Sequence, residues 1–130
     1  MKAADRGFTL VEIMIVVAVI ALLAAIAMPG FLRSKMLAND TLARATLKTL
    51  AVASETFANN TANYPTTVAD LTGAAPPYIV MADPCGSAIL GFTYTCAMVA
   101  GGYTFTATPT TVGRSGSTIF TITTGGVLTP

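Results

Sequence analysis

Residues 13–28 form an unbroken apolar run, and from Phe8 the run extends over 21 residues interrupted only by Thr9 and Glu12. As a helix this stretch is about 31 Å long, close to the hydrocarbon thickness of a bilayer. A chain of 130 residues is too small to surround a helix that is apolar on every face, so the pattern predicts a membrane-inserted helix rather than a core helix. A secretory signal cut after Ala27 is the competing reading, with Ala24, Ala25 and Ala27 as the small residues. The apolar stretch is longer than the roughly 7–15 residues such signals use.

Pro29-Gly30 ends the run, because proline lacks a backbone donor and crowds the preceding turn. Helical spacing nevertheless resumes: Leu32, Met36, Ala43, Leu47, Leu50 and Phe57 recur at steps of three, four and seven, one stripe of a 3.6-residue period. The pattern predicts one long helix with a weak joint at Pro29 and Gly30, fading near Asn59-Asn60. Asp40 and Arg44 form a favourable i,i+4 pair on a neighbouring face. Residues 63–67 read as a turn, 68–71 as a short helical turn, and 74–77 as extended loop.

The C-terminal third alternates with a period of two. Phe92, Tyr94, Cys96 and Met98 alternate with Thr93, Thr95 and Ala97, and Tyr103, Phe105 and Ala107 with threonines. Phe120 and Ile122 mark a third strand, and Val127-Leu128 a short fourth. Gly101-Gly102 and Gly125-Gly126 are turn signals. Residues 109–117 read as an exposed, mobile loop. The fold class is α+β: a long N-terminal helix, half membrane-spanning and half amphipathic, packed on a small antiparallel meander. Its solvent face is threonine-rich and nearly uncharged.

The first seven residues are polar, and Lys2 and Arg6 hold that end in the cytoplasm, so the remainder faces outward. Gly7 precedes the apolar helix and leaves an unencumbered peptide bond that a protease can take in extended form; the simpler reading is a glycine marking the helix start. Glu12 is the anomaly, since an ionisable group inside an apolar helix is costly and usually has a partner. Cleavage after Gly7 creates one, the α-amino group of Phe8, which shares a helix face with Glu12 at i,i+4. The pair can form within one chain or between neighbours; a glutamate reaching for lipid headgroups is the simpler alternative.

Gly7-Phe8-Thr9-Leu10-Val11-Glu12 followed by the long apolar run resembles the leader and N-terminus of type IV pilins and type II secretion pseudopilins. The close resemblance covers about residues 1–35. It implies cleavage between Gly7 and Phe8 by a prepilin peptidase, N-methylation of Phe8, and an assembly role for Glu12. It also implies local helix unwinding at the proline joint in the filament. The expected organisation is a leader at 1–7, a transmembrane and filament-core helix half at 8–30, an amphipathic half at 31–60, and a β-rich head at 61–130. The expected partners are identical subunits in a homopolymer, the inner membrane before assembly, the peptidase and the assembly machinery. The expected destination is an extracellular pilus filament serving adhesion, motility or surface attachment.

Composition narrows the alternatives. The chain is 53% hydrophobic and 10% charged, with no histidine or tryptophan, which removes every histidine-based triad, general base or metal ligand. No catalytic residue, metal site or cofactor is expected, and a signal-anchored enzyme is the weakest alternative. Cys85 and Cys96, the only cysteines, lie on the outward side, where a disulfide persists; pilins often carry a C-terminal disulfide, so the resemblance agrees. Only Arg114 is basic after Lys48, too little for a nucleic-acid strip. A pseudopilin driving protein export remains the main alternative. The sequons at Asn39 and Asn59 are short matches that carry little weight.

Overall fold

The structure, a computed structural model, describes residues 7–130. The expected leader contributes Gly7 alone to it, and the orientation argument from Lys2 and Arg6 falls outside the described residues. Two compact units divide at Ser34, with Lys35–Pro130 as the second.

The element order is α1 (Leu10–Thr61), α2 (Val68–Thr72), then β1 (Ala88–Ile89), β2 (Phe92–Val99), β3 (Gly102–Pro109), β4 (Phe120–Thr123) and β5 (Val127–Thr129). The sheet follows chain order with every neighbouring pair antiparallel, the expected meander. The alternation did not resolve β1, which is only two residues long. Its pairing is set by the tight turn at Leu90 and Gly91, which brings Ile89 opposite Phe92.

In the first unit, Pro29 and Gly30 both lie inside α1, so the helix continues through the expected joint. Proline removes one backbone donor there. One turn on, the Ser34 hydroxyl donates to the Gly30 carbonyl at 3.1 Å. The apolar side chains of this unit are uncovered, among them Leu23, Ile26 and Phe31.

In the second unit the amphipathic stripe is buried. Ala43, Leu47, Leu50 and Ala51 from α1 pack with Phe92, Tyr94, Tyr103, Phe105, Ala107, Phe120 and Ile122 from the sheet, and Leu71 and Ile79 close the cluster. Four of the six stripe positions behave as the period requires, with Ala43, Leu47 and Leu50 buried and Phe57 packed against the core. Leu32 is exposed. Phe92 of β2 and Phe120 of β4 pair across the sheet with centroids 6.1 Å apart, and Tyr103 and Phe105 stack along β3 at 4.8 Å. The outer face carries cross-strand threonine pairs, Thr93 opposite Thr108 and Thr95 opposite Thr106.

The polar residues inside α1 are accommodated by back-bonding. Ser54, fully buried, donates to the Leu50 carbonyl at 2.8 Å, and Thr41, Thr46, Thr49 and Thr56 each bond the carbonyl four residues earlier. Among the described residues no buried side-chain nitrogen or oxygen lacks a partner.

Cys85 and Cys96 form a disulfide that encloses the β1 hairpin. With the two cysteines 11 residues apart, chain-entropy arguments give it about 3 kcal/mol of stabilisation. Cys85→Ser with Cys96→Ser is expected to lower the unfolding free energy of the head by that amount, read from urea melts. A melt unchanged by the double substitution would show that the hairpin needs no covalent closure.

Candidate processing and assembly site

Gly7, Phe8 and Thr9 precede the first helical residue and are exposed, with Phe8 85% accessible. The Gly7-Phe8 bond therefore lies outside regular structure. Three positions beyond Thr9, Glu12 accepts hydrogen bonds from the Thr9 amide at 2.7 Å and the Thr9 hydroxyl at 2.8 Å. The Glu12 amide in turn donates to the Thr9 hydroxyl at 3.2 Å.

This reciprocal arrangement is a capping box. It satisfies helix-start donors that would otherwise be orphaned, and places a negative charge at the positive end of the helix dipole. Glu12 thus has a local partner. The Thr-x-x-Glu spacing that reveals it is a sequence signal, one that the charge pattern around Glu12 overshadows.

Behind this cap, one 18-residue window of α1 has mean hydropathy 3.0 and is entirely unburied within the chain. Such a helix is long and apolar enough to cross a membrane. Large apolar surfaces left uncovered on a chain of this size mark a lipid or protein contact.

In the second unit three carboxylates organise the head, and spacing alone did not reveal their partners. Asp40 is buried and accepts from the Ser117 amide at 3.0 Å and the Ser117 hydroxyl at 2.5 Å. The expected Asp40–Arg44 pairing gives way to two separate contacts, for Arg44 instead places its guanidinium 4.5 Å from the Phe120 ring centroid. Asn39 donates to the Ser115 carbonyl at 2.8 Å, so the first sequon asparagine is already engaged.

These contacts also revise the loop at 109–117. The Ser115 hydroxyl accepts from the Thr111 amide and donates to the Thr111 carbonyl, the Gly113 amide reaches Gly116, and Gly116 is buried. The segment is a compact turn fastened to α1, rather than the mobile loop its glycines suggested.

Glu55 is the second of these hubs. It accepts from the hydroxyls of Tyr64 and Tyr103, each at 3.0 Å, and from the Gly125 amide at 2.7 Å. Burial alone pushes its carboxyl pKa up, but these three donors outweigh burial and hold it below the usual carboxylate value. The same bonds act on the phenols. Hydrogen bonding to Glu55 raises Tyr64, and burial together with the Glu55 bond raises Tyr103 strongly. Asp70, the third, is likewise held low by the amides of Thr67 and Thr66 at the start of α2.

A depressed carboxylate contributes stability above its unfolded pKa that is lost as pH falls through the folded one, and a raised phenol contributes stability that disappears as pH climbs beyond about 10. Glu55→Ala is expected to cost about 1 kcal/mol near neutral pH, allowing for solvent screening. That difference should shrink as pH falls below the usual carboxylate range, as read from melts of both chains across the acid range. A pH-independent difference would mean that Glu55 acts by packing alone.

Among the described residues no group of three or more potential metal ligands occurs.

Residues 2–28 match the prokaryotic N-terminal methylation motif. Over 53 residues, 41% of this chain, it is 47% identical to a protein of Myxococcus xanthus described as type IV major pilin protein PilA. Over 42 residues, 32% of this chain, it is 50% identical to the type IV wide pilus major component PilA4 of Thermus thermophilus. The matched stretches span about a quarter and about a third of those relatives' own lengths, 24% and 32%. These findings support the type IV pilin family, and with it the resemblance carried by Gly7 to Glu12.

Proposed function

We propose that the chain is a structural subunit of a type IV pilus, matured by cleavage between Gly7 and Phe8 and polymerised through its N-terminal helix. The observation that supports this reading is an uncovered apolar helix whose first turns, from Leu10 on, lie within the methylation motif at residues 2–28. Before assembly the helix is solvated by membrane lipid; in the fibre, neighbouring copies of the helix take the place of that lipid.

Maturation exchanges one partner of Glu12 for another. In the uncut chain the Thr9 amide and hydroxyl serve its carboxylate. Removal of the leader exposes the Phe8 ammonium, and the ion pair it forms with Glu12 of a neighbour removes both charges from an apolar environment and sets an axial register between helices. The cut also leaves five basic and five acidic side chains, so that copies stack without net repulsion. Pro29 and Gly30 supply a place where the helix can lengthen under tension.

N-terminal mass analysis of fibres sheared from cells tests this reading. The expected product begins at a methylated Phe8. Fibres whose subunit retains Met1, or a released monomer beginning after Ala27, would overturn it. A methylated Phe8 terminus found only in membranes, with no surface fibres, would indicate the pseudopilin alternative.

A further inference from the structure

A cleft of about 360 Å³ opens in the head between α1 and the β1–β2 turn. Lys35 and Arg114 line it together with Asn39, Leu90, Gly91 and Thr111, and no carboxylate is among its lining residues. The nearest acid in sequence, Asp40, is committed to Ser117 through both of its oxygens. Two cations therefore border a cavity whose lining carries nothing of opposite sign.

The cleft is also preorganised. A Cβ at Gly91 would lie 2.8 Å from the Ser115 Cβ and 3.2 Å from the Asn39 Nδ2, so turn and loop meet there in close contact. Ser115 is in turn held by Thr111 and Asn39. At the rim, Leu90 sits at φ 49° with its side chain 61% exposed. A branched apolar residue in the left-handed region is a strained choice for a two-residue turn, where asparagine or glycine is usual. Such strain gathers at ligand contacts. It places an apolar lip beside the two cations.

Cations beside an apolar lip suit an amphipathic anion. Lys35 follows the end of the apolar run by only seven residues, with Arg33 two residues before it, on the outward side of the expected span. We propose that this cleft binds a phosphate oxyanion, presented by the headgroup of an anionic phospholipid while the subunit is held in the membrane. Arg114 offers a planar fork to two phosphate oxygens, Lys35 a point charge, and Leu90 a contact for the glycerol and acyl region. Only the lipid as source rests on the membrane-spanning reading of α1; the oxyanion chemistry does not.

The test uses the full chain in zwitterionic micelles, isotopically labelled, with the Gly91 and Ser115 amide signals followed during titration. The probes are short-chain phosphatidylglycerol, short-chain phosphatidylcholine and inorganic phosphate. Phosphatidylglycerol is expected to give saturable shifts at lower concentration than phosphate, with phosphatidylcholine weaker than either. Lys35→Gln and Arg114→Gln should each weaken the response about tenfold, the effect of losing one charge-assisted contact. Leu90→Asn should weaken the phosphatidylglycerol response while leaving that to phosphate unchanged.

A response to phosphate without one to phosphatidylglycerol would overturn the lipid assignment. Absence of any response, or one untouched by both cation substitutions, would overturn the site itself. Fibre formation is not the readout, so failure here is separable from failure of the pilus reading.

Discussion

A chain carrying Glu12→Ala is expected to be cut after Gly7 and retained in the membrane, yet to yield no surface fibres. Alanine removes the only acidic side chain of the apolar run, so insertion into lipid becomes easier, not harder. The Gly7-Phe8 bond lies upstream of the helix, outside regular structure. On the proposed pairing, the substitution removes the counter-charge for the Phe8 ammonium that cleavage would create. Without it, each added subunit would have to place an unpaired cation among apolar helices.

The capping box makes a control necessary, because Glu12→Ala also deletes the Thr9 contacts. Thr9→Ala removes the hydroxyl half of that cap while keeping the carboxylate, and fibres are expected to form from it. Electron microscopy of sheared material, with mass analysis of the membrane pool, separates the outcomes. Normal fibres from Glu12→Ala would end the pairing mechanism; loss of fibres from both variants would assign the defect to the helix start.

Gly116→Ala is expected to be the most damaging single methyl in the head. A Cβ there would collide with the Phe92 ring and stand 2.9 Å from the Asp40 Oδ1. Neither neighbour can yield cheaply. Phe92 is 1% exposed and stacked near Phe120, while Asp40 is fixed by two bonds to Ser117. Overpacking of this kind costs about 3 kcal/mol. The urea midpoint should fall with an unchanged slope, since the denatured state is not altered in compactness. Gly101→Ala is the matched control, with open space around its Cβ and no positive φ, and should be close to neutral. Equal effects at the two positions would mean that Gly116 matters for backbone freedom rather than for room.

The parts of this molecule that were readable from sequence are those governed by local periodicity. A period of two places Phe92, Tyr94, Phe105 and Ile122 inward, and a period of 3.6 places Ala43, Leu47 and Leu50 against them. Both signals repeat within a few residues. The Thr9–Glu12 box was equally local and could have been found from its spacing. The attachments of Asp40 to Ser117 and of Glu55 to Gly125 could not, because partners 77 and 70 residues apart leave no trace in any short window. The same reason explains the loop at 109–117. Its glycines signal conformational freedom, whereas its order comes from the Ser115 hydroxyl and from distant contacts on α1.

The distance between those partners has a temporal meaning. Asn39, Asp40 and Glu55 leave the ribosome early, and the groups that satisfy them, Ser115, Ser117 and Gly125, come much later. Until that late segment arrives, the amphipathic half of the helix has neither its polar clasps nor the sheet that covers its stripe. Such non-local closure is slow to nucleate. The newborn chain therefore lacks a closed head for most of its synthesis, and that head can set only after the last hairpin has emerged.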